Sequence, residues 1–461
     1  MERPDWKGPL GEAVEQAVAY LGGLPDRRVG AGASTAQLRA ALGGPLPEEP
    51  GEPRDVITGL AAAADPGLVA SGSGRFFGFV VGGTTPVALA ADWLASAWDQ
   101  NAGIAALAPA AAVVEEVAGT WVAELLGLPP DVSVGFVTGA QMANFTGLAV
   151  GVREVLASAG WDVDSAGLWG APELSVYAGE DRHGTVDRAL RFLGMGTRVV
   201  TAVESDDQGR MRPDALVRAF GESPGPAIVC AQVGNVNTGA TDPVDQICEI
   251  AHTHGAWVHV DGAFGLWAAA SPRLRPLVTG VERADSWATD AHKWLNVPYD
   301  CGLVFCAHAQ AHRAAMGSRA GYLVHAADGE RDALDYNPEH SRRARGFAVY
   351  AALRALGRRG VADLVERSCD LAQRFADQLG SVAGVEILND VVLNQVLVRF
   401  GDSDDRTHEV IERVQRDGTC WMSGTTWHGR AAMRISVSNW STDAADVDRS
   451  VASILRWAGA P

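Results

Sequence analysis

The 461-residue sequence predicts a large α/β domain built on a mostly parallel sheet, followed by a smaller α+β domain. Short β-branched runs recur through the middle of the chain with helical stretches between them, the pattern of a sheet covered on both faces. Beyond residue 310 the pattern changes to alternating runs of the antiparallel kind. The length also exceeds what one small core can organise.

Taken in order, residues 1–70 alternate short helical patterns with turn-rich pieces, Gly43-Gly44-Pro45 and the stretch from Pro47 to Pro53. They read as a peripheral N-terminal arm. Residues 71–315 form the large domain. Ala- and Leu-rich stretches at 88–102 and 110–126 have helical spacing, and strands follow at 134–138, 174–178, 198–203, 227–232, 257–260, 286–289 and 302–306. Residues 316–461 form the small domain. A basic, turn-bearing stretch (317–345) leads into a helix at 346–356; alternation at 385–400 and 431–437 precedes a last helix at 443–457.

Composition narrows the function. A net charge of −18 repels nucleic acid and anionic lipid, so neither is an expected partner. Cys230, Cys248, Cys301, Cys306, Cys369 and Cys420 form no CxxC pair and sit in apolar stretches, which reads as reduced core thiols of a cytoplasmic protein. The N-terminus lacks an apolar h-region, and the longest apolar stretch (104–114) is too short to span a bilayer. No metal-ligand pattern stands out.

The chemistry concentrates in four segments. Trp257-Val-His-Val-Asp-Gly-Ala-Phe-Gly265 is a strand ending on Asp261, and in an open parallel sheet ligands bind beyond such carboxyl ends. Taken alone, that acid serves equally as a loop cap. Downstream, Ala284-Asp-Ser-Trp-Ala-Thr-Asp-Ala-His-Lys-Trp294 again runs strand-like into a polar cluster, His292-Lys293, beside an apolar run. Pyridoxal 5′-phosphate (PLP) needs such a pair: a lysine to hold its aldehyde carbon as an imine, and an acid to keep its pyridine nitrogen protonated. Phe136-Val-Thr-Gly-Ala-Gln-Met-Ala-Asn144 passes from a strand through a Gly turn into a helix, whose first amides, with Thr138 and Gln141, suit a phosphate. The fourth segment, Gly179-Glu-Asp-Arg-His-Gly-Thr185, is a loop carrying His183.

The strings His259-Val-Asp-Gly-Ala-Phe-Gly265, Asp-Ala-His-Lys-Trp-Leu-Asn-Val-Pro-Tyr-Asp-Cys-Gly302 and Ser341-Arg-Arg343 resemble the group II PLP-dependent amino acid decarboxylases. The likeness spans roughly residues 70–450 and implies the aspartate aminotransferase-like fold (PLP fold type I). It implies that Lys293 is the Schiff-base lysine and Asp261 the pyridinium partner, with Ala263 on one ring face and His183 stacked on the other. Ala140 and Gln141 lie where relatives bind phosphate, beside Thr138 and Gly139 of the same turn, and Ser286 and His292 match positions that assist. Arg434 is similar to the arginine near the substrate carboxylate, and Phe77 and Phe79 fall in the segment that lines the substrate pocket. Tyr336 resembles the proton-donating tyrosine of a mobile loop at the start of the small domain, with Tyr322 as the nearest alternative. Two departures stand out: Asn235 occupies a position near the cofactor where relatives carry threonine, and the residues after Tyr336 differ from the usual loop.

The activity implied is α-decarboxylation of an L-amino acid to amine and CO2, by a homodimer. Other outcomes on the same scaffold are decarboxylative oxidative deamination to an aldehyde and aldol-type cleavage. Fourteen tryptophans, with Trp93 and Trp98 expected near the pocket, point to an apolar or aromatic substrate, although they serve equally well as core or interface residues.

Overall fold

The computed structural model describes residues 5–222, 225–318 and 331–459. Seven strands form the large sheet: β1 (Ser133–Val137), β2 (Ser175–Gly179), β3 (Val200–Val203), β4 (Ala227–Gln232), β5 (Trp257–Asp261), β6 (Ser286–Asp290) and β7 (Gly302–Cys306). Their spatial order is β1-β7-β6-β5-β4-β2-β3. β7 runs antiparallel to both β1 and β6, and the remaining pairs are parallel. Most of these strands are buried along their whole length, because helices cover both faces. In register, Gln232 faces Asp261 and Asp261 faces Ala288, so the carboxyl ends of β4 and β5 are level and β6 runs two residues further, to Asp290.

Helices α1 (Lys7–Gly23), α2 (Thr35–Leu42) and α3 (Pro53–Ala64) make the N-terminal arm, and α4 (Pro86–Trp98) and α5 (Pro109–Leu126) lead into the sheet. α2 starts on a capping box formed by Ser34 and Gln37. α6 (Ala140–Ser158) crosses behind β5, β6 and β7.

The small sheet is antiparallel, in the order β10-β11-β9-β8, from β8 (Val385–Ile387), β9 (Gln395–Phe400), β10 (Ser423–Trp427) and β11 (Arg430–Ser436). β10 and β11 form a hairpin with Trp427 opposite Arg430. Its two turn residues, His428 and Gly429, both have positive φ (45° and 78°), the turn that matches strand twist.

The helix expected at 346–356 continues to Gly380, broken only where Gly357 leaves helical geometry (φ 61°, ψ 177°). Its first part, through Cys369, packs in the large core; from Leu371 onward it packs in the small one. The last large-sheet strand ends before the expected boundary at 316, but the change of core falls inside this helix.

Arg342, from the Ser341-Arg-Arg343 string, is fully buried and pairs with buried Glu115 at 3.1 Å. Its guanidinium also donates to the carbonyls of Ala102 and Phe136, tying the start of the small domain to α5 and β1. Phe77 likewise joins distant segments: its N–H donates to Trp421 O (2.8 Å) and its carbonyl accepts from Ser436 N (2.9 Å). Among the described residues, no helix is long and apolar enough to cross a membrane.

Candidate active site

A cavity of about 420 Å³ opens at the carboxyl ends of β1, β4, β5 and β6, a size suited to a small organic ligand. It gathers most of the residues singled out from the sequence: Thr138, Gly139, Ala140, Gln141, His183, Asp261, Ala263, His292, Lys293, Arg434 and Phe79.

Lys293 follows the end of β6 and places Nζ 3.1 Å from Asp290 Oδ2. Asp261 closes β5. Its Oδ2 accepts from Asn144 Nδ2 at 3.0 Å and from Thr185 Oγ1 at 3.3 Å, and its Oδ1 accepts from the Ala263 amide at 3.3 Å. The carboxylate is thus oriented from behind by α6 and by the His183 loop. His183 caps a helix start: Nδ1 accepts from Thr185 N (3.3 Å), which leaves Nε2 to carry the hydrogen. Burial among neighbouring atoms holds its pKa below the usual imidazole value, although one edge of the ring meets open solvent.

The phosphate-binding corner is more crowded than the sequence suggests. Asp290 Oδ1 accepts from Ala140 N at 2.6 Å, so that first helix amide is already engaged. Gln141 Nε2 donates to Thr185 O. His292 Nδ1 accepts from Cys301 N (3.2 Å), which turns Nε2–H toward Asp290, 3.6 Å away. A Cβ on Gly139 would lie 3.1 Å from the His292 ring, so glycine keeps this corner open.

Arg434, on β11, brings the small domain into the cavity. Its Nε is buried with no hydrogen-bond partner, and among the described residues the guanidinium makes no ion pair. Burial lowers its pKa. An unpaired buried cation is costly, and a carboxylate or phosphate would relieve it. An amine, an oriented acid, a helix start with a ring N–H beside it and a lone guanidinium together form a donor set that fits PLP and an amino acid.

Six residues expected at or near the site lie away from the cavity: Phe77, Asn235, Ser286, Tyr336, Trp93 and Trp98. Phe77 is not at the cavity but in the small core, edge-on to Phe375 at 4.9 Å. Phe79 and Val80 have positive φ (59° and 55°), which breaks the alternation and turns only the Phe79 ring to the cavity. The glycines that follow pass close over the lysine: a Cβ on Gly82 would collide with the Lys293 carbonyl. Asn235 points away from the cavity, donating to Asp181 O (3.2 Å) and accepting from Asn237 N (2.8 Å), so it holds its own loop. Ser286 lies behind Asp261, bonded to Trp257 and His259. Tyr336 packs at the sheet edge, with the Arg331 guanidinium 4.4 Å over its ring and His312 edge-on at 5.3 Å. Tyr322 lies outside the described residues. Trp93 and Trp98 are on the outer side of α4, with Trp98 against Phe347.

The cavity also contains residues not anticipated: Met142, Thr185, Gln232, Gly234, Val236, Phe264 and Asp290. Asp290 stands three residues before the lysine, and Thr185 and Asn144 end two of the motifs, so their positions were available as a signal.

A model of the pyridoxal-dependent decarboxylase conserved domain matches residues 36–400. The chain is similar to an aromatic-L-amino-acid decarboxylase of Bacillus atrophaeus, 26% identical over 419 residues, covering 88% of this chain and 84% of that protein. It is also similar to a phenylacetaldehyde synthase of Arabidopsis thaliana, 25% identical over 422 residues, covering 87% and 85%. In fold it matches a solved Oryza sativa structure, TDC with PLP and tryptamine, with a TM-score of 0.92, 23% identity and coverage of 100% and 99%.

Proposed function

This chain belongs to the pyridoxal-dependent decarboxylase family, and from that premise we propose that it converts an apolar or aromatic L-amino acid to its amine. PLP is its cofactor and amino acid decarboxylation its reaction. When bound, PLP supplies an aldehyde carbon for the amine and a ring that accepts the electron pair left by departing CO2.

The chain's residues divide the remaining work. Lys293 holds the cofactor aldehyde. Asp261, oriented by Asn144 and Thr185, would hold the proton on the pyridine nitrogen. Ala263 and His183 would hold the two ring faces, and Thr138, Gly139, Gln141 and His292 would receive the phosphate. Arg434 takes the substrate carboxylate. Phe79, Met142, Val236 and Phe264 supply an apolar wall that excludes water from the substrate side chain.

The observation that carries the substrate class is the Phe79 ring, turned to the cavity by its left-handed backbone, while Arg434 is the cavity's one unpaired cation among the described residues. The test is a screen of the twenty amino acids for CO2 and amine. Aromatic substrates should lead, and a preference for acidic or basic ones would refute the assignment. Borohydride should fix cofactor to the native chain and not to Lys293→Ala.

A second reading has support of its own. Among the described residues no tyrosine lines the cavity, and one relative is a phenylacetaldehyde synthase. Oxygen consumption stoichiometric with substrate, with aldehyde as product, would select it.

The assembly is a homodimer in a reducing, cytoplasmic setting. Trp6, Leu10, Val14, Val18 and Leu21 fall on one stripe along α1 and its start, between 41% and 69% exposed, an apolar face that needs a partner surface. Six free, buried thiols support the compartment. A catalytically active monomer in sedimentation equilibrium would refute the dimer.

A further inference from the structure

Behind Asp261 runs a buried hydrogen-bond chain through three segments of the large domain, β5, β6 and α6. Trp257 Nε1 lies 2.9 Å from Ser286 Oγ; Ser286 Oγ lies 2.8 Å from His259 Nδ1; His259 Nε2 lies 2.9 Å from Asn144 Oδ1; Asn144 Nδ2 lies 3.0 Å from Asp261 Oδ2. Ser286, His259 and Asn144 are completely buried. The imidazole fits against α6 only because residue 147 is glycine, where a Cβ would come within 2.6 Å of the ring.

Both ends of the chain fix its direction. An indole N–H can only donate, so Ser286 Oγ accepts from Trp257 and still has one hydrogen to give and a second lone pair to receive. The carboxylate end fixes the imidazole: Asp261 draws the Asn144 NH₂, Asn144 Oδ1 therefore faces His259, and the neutral ring donates from Nε2 and accepts the Ser286 hydrogen at Nδ1. The Asn144 NH₂ then gives one hydrogen to Asp261 and the other to Thr185 Oγ1, 3.1 Å away. At the far end a carboxylate can only accept. Flipping the Asn144 amide would set two oxygens 3.0 Å apart and leave His259 Nε2 facing a donor. One polarity satisfies every group, and buried polar groups are rarely left unmade.

We propose that His259 and Ser286 are positioning residues. Held in register by Trp257, they lock the Asn144 amide so that Asp261 always meets a donor at Oδ2 and keeps Oδ1 for the cofactor's ring nitrogen. This rests on the reading of Asp261 as the ring-nitrogen partner. Burial pushes the His259 pKa down to about 4, so the imidazole stays neutral and Nδ1 keeps the lone pair the chain requires.

The experiment uses the holoenzyme loaded with PLP labelled with ¹⁵N in the ring, because the ring-nitrogen shift reports protonation independently of turnover. His259→Leu removes the donor to Asn144. It should lower kcat about 10- to 100-fold, the worth of a hydrogen bond in a charged network, with KM little changed, and should move the ¹⁵N shift toward unprotonated pyridine. His259→Gln can still present an N–H near the Nε2 position and should recover both. Equal impairment of the two variants with a native ¹⁵N shift would reduce His259 to a packing role. If His259→Leu does not fold, Ser286→Ala decides: a folded variant with native kcat and ¹⁵N shift overturns the proposal. Asp261→Asn separates the premises. Native behaviour in that variant refutes the reading of Asp261, whereas loss there with none in His259→Leu or Ser286→Ala refutes the chain alone.

Discussion

Replacing Arg434 with methionine should weaken substrate binding without weakening the fold. The guanidinium reaches the cavity from β11 with its Nε buried and unpartnered. In the free protein it contributes a desolvation cost that no ion pair offsets among the described residues. A substrate carboxylate would supply a two-pronged, charge-assisted partner worth about 2–3 kcal/mol. Its loss corresponds to roughly a 30- to 150-fold rise in KM. The carboxylate's charge moves toward the ring as CO2 leaves, so the pair is no stronger in the transition state than before it, and kcat should not fall. The unfolding midpoint of the free protein should hold or rise, since an unpaired charge has been removed. Arg434→Lys keeps the charge but loses the fork, and should lie between the two. Steady-state kinetics with CO2 capture, beside urea unfolding of the cofactor-free protein, test both halves. An unchanged KM, or a stability loss that accounts for the activity loss, would refute the assignment.

Other substitutions probe different links. Asp261→Asn should keep the fold and reduce kcat by about 10²- to 10³-fold, as when a group that stabilises developing charge is removed; near-native kcat would make this acid a loop cap. Phe79→Ala should raise KM for aromatic substrates about tenfold and leave small aliphatic ones nearly unaffected, read from paired kinetics. Glu115→Gln strands the buried Arg342 cation and should destabilise the chain by about 3–5 kcal/mol, seen as a lower urea midpoint. Acid should also destabilise it. Burial pushes His259 down to about 4 and His312 to about 3, so between those values and about 6.5 the unfolded chain binds two protons that the folded one does not. Buried Asp242, raised to about 7, opposes them with one proton held only in the folded state. From these three groups, stability is present above pH 6.5 and lost as pH falls toward 4, measurable as urea midpoint against pH.

The large sheet was legible because its strands are buried on both faces and read as continuous apolar runs, so β4 and β7 end where the sequence puts them. Lys293, Asp261, His183 and the Gly139 turn were legible because each sits at a strand end beside a polar cluster. What failed depended on single backbone torsions or on meetings between distant segments. Nothing in Phe-Phe-Gly-Phe reveals that Phe79 turns left-handed while Phe77 does not. The family resemblance puts Ser286 at the cofactor, but a strand residue's facing depends on register, and its hydroxyl points back toward His259. Tyr336 was assigned from the dipeptide Asp335-Tyr336, whereas the Arg331 guanidinium over its ring holds it at the sheet edge. β10 was missed because its polar Ser-Gly-Thr-Thr run lacks the apolar alternation that marks its partner.

The pairing of Phe77 with Trp421 has a consequence for biosynthesis. Arg75, beside it, hydrogen-bonds the carbonyl of Thr419 across 344 residues of chain. At a ribosomal rate of about 5–20 residues per second, the N-terminal segment leaves the tunnel roughly 17–70 s before its partner segment does. During that interval Phe76 and Phe77, both buried in the finished protein, have nowhere to go. The nascent chain therefore carries an apolar stretch that stays uncovered until the segment around Trp421 has emerged.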